Sequence, residues 1–138
     1  NPNDFALALR GWSLNHTSTS SASNLLFKEG IISGHSNILL TGDVNSQVSG
    51  NASQILDLSQ KSFLGVGSLN LLADGRGVLS LRYTQLDEAQ PYDVMSVEWG
   101  GTSGLFTSMG QSLGIESNAG GPGANWSVQQ TPTPGDYS

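Results

Sequence analysis

One periodicity runs through this chain, and its period is two. DFALALR places Phe5, Leu7 and Leu9 on one side of an extended backbone. GVLSLRYTQ sets Leu79, Leu81 and Tyr83 against Ser80, Arg82 and Thr84, and VMSVEW sets Met95, Val97 and Trp99 against Val94, Ser96 and Glu98. QSLGIES repeats the pattern with Leu113 and Ile115. Alternation puts apolar side chains on one face of a strand and polar ones on the other, the signature of half-buried antiparallel sheet. Helical spacing is nearly absent; only NASQILDLSQK, residues 51–61, is expected to form a turn or two of helix. Turn residues recur between the alternating runs, as in SGHSN, ADGRG and NAGGPG. The expected fold is all-β, a single antiparallel β-sandwich or β-barrel with long polar loops.

One hairpin can be argued to register. Asp74-Gly75 lies between two alternating runs. A three-residue loop, Ala73-Asp74-Gly75, pairs residues 64–72 with 76–84 and sets Leu69 opposite Leu79 and Ser68 opposite Ser80. A two-residue loop mixes apolar and polar on both faces, so the first register is expected. Trp126 and Val128 are expected to form a last short strand.

Composition along the chain divides it into four segments. Residues 1–14 form an N-terminal strand or arm, 15–24 a polar connector, 25–130 the β domain, and 131–138 an exposed proline-rich tail. The connector, NHTSTSSASN, holds no large apolar side chain. An arm on such a tether can add to its own sheet or to the edge of a neighbouring copy, with Phe5, Leu7 and Leu9 as apolar anchors. Repeated head to tail, that contact builds a filament. The competing expectation is that residues 4–14 are simply the first strand of their own domain.

Charge is scarce. Charged residues are 12% of the 138, against a usual value of about 25%. Five Lys and Arg with a net charge of -6 cannot build the cationic face that nucleic acid needs. No apolar run is long enough to insert in a membrane as a helix. Solvation falls instead to 21 Ser, 8 Thr and 10 Asn. A lysine-poor, hydroxyl-rich surface fits an extracellular or cell-surface protein, read here as a mature form because NPND does not open a signal peptide. Cysteine is absent, which excludes thiolate chemistry and disulfides.

Catalytic constellations are weak, and no catalytic residue, metal site or cofactor is assigned. GHSNI departs from the nucleophile elbow at Ile38, where glycine is needed. His16 and His35 sit in no recognisable motif and are expected to be solvated loop residues. Asp43, Asn45 and Gln47 begin like a calcium loop, but Val48 replaces its glycine. Asp87, Glu88 and Asp93 are the better calcium cluster, and more simply a solvated connection. Glu98 and Glu116 as paired acids compete with the plainer expectation of charges on the outer face of a sheet.

Three N-glycosylation sequons begin at Asn15, Asn51 and Asn125. Asn15 and Asn51 fall in expected loops and are the preferred acceptors; Asn125 adjoins Trp126. Thr131 and Thr133, each before proline, are candidate O-glycan acceptors.

WGGTSGLFTSMGQSLGIES resembles the G-G-T-G-x-F/Y stretch of allene oxide cyclase and dirigent-type barrels, where a glycine turn opens a late strand. GVGSLNLLADGRGVLSLRY is similar in style to strands of that family. The likeness covers the middle and later third of the chain, with Ser103 inserted in the motif. It implies a closed antiparallel barrel able to hold an apolar ligand. No family acid or tyrosine aligns by motif, so no catalytic residue carries over.

Three functions remain open. The first is a non-enzymatic extracellular structural or adhesive glycoprotein subunit, with copies of itself and glycans as partners. The second is a small barrel that binds or isomerises an apolar ligand. The third is a carbohydrate-binding module. Trp12, Trp99 and Trp126 discriminate: buried without a cavity they favour the first, lining a cavity the second, as a coplanar exposed pair the third.

Overall fold

The computed structural model describes residues 1–41, 54–57, 65–68, 75–105, 111–115 and 125–130. Among these the chain is all-β, with no helix. Five antiparallel strands form the main sheet: β2 (Trp12–Ser18), β3 (Ala22–Phe27), β7 (Gly65–Ser68), β8 (Gly77–Tyr83) and β9 (Tyr92–Trp99). Their order is β7-β3-β2-β8-β9, linear rather than closed among the described residues.

The alternation seen in the sequence assigns the two faces. One cross-strand row is Leu25, Leu14, Leu81 and Met95, and the row beside it on the same face is Ser23, His16, Leu79 and Val97. The opposite face carries Asn24, Asn15, Ser80 and Ser96 in one row. Leu25, Phe27 and Val97 are buried, together with Leu9. Each such side chain contributes about 1.5–3 kcal/mol when removed from water.

Pairing differs from expectation where face assignment does not. Instead of residues 64–72 pairing with 76–84, β7 pairs β3, and β8 lies between β2 and β9. Leu79 therefore meets His16 and Val97, and Ser80 meets Asn15 and Ser96. Leu69 and the loop 71–74 lie outside the described residues. The hydroxylic face is real, but its partners come from β2 and β9. An Asp-Gly turn specifies a bend, and a local bend does not decide which distant strand supplies the backbone partners.

The polar connector is the second correction. Residues 15–24 complete β2 and begin β3, a tight hairpin that brackets Thr19 and Ser20. Ser18 N donates to Ser21 O at 2.8 Å, and Ser18 Oγ accepts from Ser21 N at 3.1 Å. A serine hydroxyl thus holds a turn that contains no glycine. β2 is the central strand of the sheet, so residues 12–24 belong to the same folded unit as β7, β8 and β9.

Three small ribbons complete the described structure. β1 (Leu7–Ala8) pairs antiparallel with β4 (Ile31–Ile32). β10 (Ser112–Ile115) pairs with β11 (Trp126–Gln129), bearing out the expected last strand at Trp126 and Val128. β5 (Ile38–Thr41) pairs with β6 (Gln54–Asp57) in parallel, a departure from the antiparallel pattern. β6 also replaces the helical turn expected within 51–61.

β1 and β4 continue the β2–β3 hairpin. Ser13 faces Leu26, and after a break Ala8 faces Ile31 and Leu7 faces Ile32, all in one unbroken register. The break falls at Arg10-Gly11 on one strand and Lys28-Glu29-Gly30 on the other. Gly11 (φ 90°) and Gly30 (φ 116°) occupy backbone regions that side chains disfavour. Leu9 N still donates to Gly30 O at 2.9 Å, and Trp12 N to Leu9 O at 3.0 Å. One long hairpin therefore bends at paired glycines, and its distal end packs over the apolar face, where Leu9 meets Leu25 and Phe27.

Candidate functional site

The bent hairpin does not close tightly on the sheet. Between them lies an apolar cavity of about 450 Å³. Its floor is the sheet: Trp12, Leu14, Phe27, Leu81 and Met95. Its roof is the bent end of the hairpin, through Leu7, Ala8, Leu9 and Ile32, and β5 adds Ile38 and Leu40. Asn1, Pro2 and Asn37 complete the lining. No side chain that lines it is ionisable. Pockets that hold organic ligands run from about 300 to 1,000 Å³, mostly apolar with a few polar groups at fixed places. The space is partly open to solvent, and an apolar guest fills it by displacing water from apolar walls.

The roof is fixed mainly by backbone acceptors. Asn1 Nδ2 lies 2.8 Å from Phe5 O, 3.1 Å from Ile32 O and 3.0 Å from Ser33 O. His35 N donates to Asn3 O at 3.0 Å, and His35 Nε2 meets Asp4 Oδ1 at 2.5 Å. That pair is exposed, and such pairs add about 1 kcal/mol or less. Among the described non-glycine residues His35 alone has a positive φ, 49°.

His16 overturns an expectation. Instead of a solvated loop histidine, it is fully buried in the central strand. Its ring lies parallel to that of Trp99, with centroids 5.8 Å apart. Neither Nδ1 nor Nε2 has a hydrogen-bond partner among the described residues. The signal in the sequence is its spacing: Trp12, Leu14 and His16 alternate, although the polar run from Asn15 onward hides the continuation of the strand.

The other sequence candidates disperse. Of the expected assembly residues, Phe5 is 62% exposed, Leu7 lines the cavity and Leu9 is in the core. Within the chain the arm pairs with its own β4. Asp93 is engaged by Arg82, Nε to Oδ1 2.6 Å, beside a bulge between Leu81 and Arg82, instead of gathering with Asp87 and Glu88. Glu98 meets Arg76 at 3.3 Å and shares the polar face with Thr17. Asn15 lies half-buried in β2 rather than in a loop, while Asn125 is exposed at the start of β11. Asn51, Thr131, Thr133, Glu116 and the segment from Asp43 to Gln47 lie outside the described residues.

The tryptophans do not form a coplanar exposed pair. Trp12 lines the cavity and packs on Tyr83, centroids 5.1 Å apart. Trp99 covers His16, and Trp126 Nε1 donates to Ser96 O at 3.0 Å, tying β11 to β9. No family model, curated protein or solved structure matches the chain.

Proposed function

We propose that this domain binds a small apolar molecule in the cavity between its sheet and the bent end of its first hairpin, as a non-catalytic part of an exported glycoprotein. The observation that carries the reading is the lining: about 450 Å³ bounded by aliphatic and aromatic side chains, with Trp12 in the wall and no ionisable side chain. An apolar guest gains roughly 25 cal/mol for each Å² it removes from water. Export and glycosylation rest on the low lysine content and on the exposed sequon at Asn125.

Titration with N-phenyl-1-naphthylamine tests the reading. The expected result is a saturable rise in probe emission at one site per chain, with tryptophan emission quenched in parallel. A rise that never saturates, with tryptophan emission unchanged, overturns it.

Self-assembly is the second reading, favoured by one observation. Phe5 and Ile31 are each 62% exposed, and both belong to the bent end of the hairpin or the segment leading into it. Two such side chains offer anchors to another copy of the chain. Sedimentation of the wild type beside Phe5→Ser tests this: association that the substitution abolishes supports it, and a wild type that stays monomeric up to high concentration rejects it.

A further inference from the structure

The polar residues of the cavity lining are Asn1 and Asn37, while a buried polar side chain with no hydrogen-bond partner among the described residues lies one row from the floor. His16 is two residues beyond Leu14 on β2, on the same face. Leu14, Leu81 and Met95 line the cavity; the adjacent row on that face is Ser23, His16, Leu79 and Val97. Successive same-face residues are separated by about 7 Å along a strand. The Trp99 ring lies parallel to the imidazole, centroids 5.8 Å apart. Both ring nitrogens are buried and unpartnered among the described residues. Buried polar atoms in folded proteins are nearly always paired, and each exception calls for an explanation.

We propose that His16 is the hydrogen-bonding end of this ligand site, and that the occupant is a neutral amphiphile: an apolar body in the cavity with one hydroxyl or carbonyl group that reaches the imidazole past Leu14. The inference rests on the cavity reading. A neutral imidazole offers one donor and one acceptor, which suits either group. A charged headgroup is not matched at this end, because the row that carries His16 holds no charged side chain. His16 does not itself line the cavity, so the headgroup reaches it by displacing side chains at the boundary, of which Met95 is the most adaptable. The alternative, a buried water held between the imidazole and Ser23 directly across on β3, predicts imidazole resonances that neither ligand moves. Among the described residues, His16 is the only side chain with buried polar atoms left unpaired.

The test compares 1-octanol with n-octane, binding to the wild type and to His16→Phe, read by displacement of N-phenyl-1-naphthylamine. Phenylalanine preserves the ring and its stack on Trp99 while removing both nitrogens. The expected result is that the substitution weakens octanol about tenfold and leaves octane within about twofold. Equal effects on the two ligands overturn the proposal while leaving the cavity reading intact. Failure of both to bind the wild type overturns the cavity reading, and this proposal with it. A second measurement needs no variant: ¹⁵N resonances of the His16 imidazole in the wild type are expected to shift on adding octanol and to hold still on adding octane. Resonances that respond identically to both count against His16 as the partner.

Discussion

The His16 ring lies parallel to that of Trp99, the two planes only 4° apart, in the central strand of the sheet with Leu79 across from it on one flank and Ser23 on the other. The pairing joins the middle strand to the edge strand across β8. It also sets an unusual balance, since the stack contributes favourably while two buried nitrogens go unpaired among the described residues.

That balance leads to the first prediction. Leaving a buried polar group unsatisfied costs about 1–3 kcal/mol, and replacing it with an apolar group of the same shape is close to neutral or stabilising. His16→Phe is therefore expected to hold or raise the urea midpoint of unfolding. His16→Ala removes the stack and leaves a void, and is expected to lower stability by about 2–4 kcal/mol. Equal destabilisation by the two would show that the nitrogens are paired in solution.

The second prediction concerns the bend. At Gly30, φ is 116°, and a Cβ placed there would sit 2.9 Å from Leu9 Cδ1. Gly30→Ala thus combines backbone strain with a clash in the roof of the cavity. The expected loss is about 1–3 kcal/mol in thermal or chemical unfolding, together with weaker binding of N-phenyl-1-naphthylamine. Glu29→Ala, at an exposed neighbour, is expected to stay within about 0.5 kcal/mol of wild type. A Gly30→Ala protein as stable as Glu29→Ala would mean that the bend is not where the ribbon turns over the sheet.

Filling the cavity separates binding from folding. Leu81 forms part of the floor, and tryptophan there would project into the space that a ligand needs. Overpacking a filled core costs about 1–3 kcal/mol, and here the empty volume absorbs part of that cost. Leu81→Trp is expected to abolish probe binding while the protein keeps a cooperative unfolding transition within about 2 kcal/mol of wild type. A variant that folds and binds the probe as the wild type does would place the probe elsewhere on the molecule.

The faces of the strands are legible in the sequence, and their pairing is not. Alternation in GVLSLRY and VMSVEW tells Leu79, Leu81, Met95 and Val97 from Ser80 and Ser96 because side-chain direction is a property of each strand alone. Partner choice is a property of two segments far apart in the chain, so the Asp74-Gly75 bend misleads. The β2–β3 hairpin is hidden for a related reason: its turn is held by the Ser18 hydroxyl and carries none of the glycine or asparagine that marks a tight hairpin. The cavity is hidden as well. Its walls draw on Leu7, Ile32, Leu40, Leu81 and Met95, which only the fold brings together. Trp12 stands out in the sequence as a candidate cavity-lining residue, while His16 does not, because its sequence neighbours are polar.

The glycosylation sites divide by where the fold puts them. Asn15 sits in the central strand, half-buried, with Asn24 on one flank and Ser80, only 4% exposed, on the other. A glycan leaving from that amide would displace neighbours on the polar face. Asn125 is exposed and immediately precedes β11, with Ser127 completing its sequon. Sugar there projects into solvent and adds hydration to a surface poor in charge. The expectation reverses the preference drawn from loops in the sequence: in protein secreted from eukaryotic cells, Asn125 carries a glycan and Asn15 does not. Intact mass before and after peptide-N-glycosidase, for the wild type, Asn15→Gln and Asn125→Gln, decides it. Asn125→Gln should lose one glycan's mass and Asn15→Gln none. Loss of sugar on Asn15→Gln with none on Asn125→Gln would mean that the face around Asn15 is more open than its packing indicates.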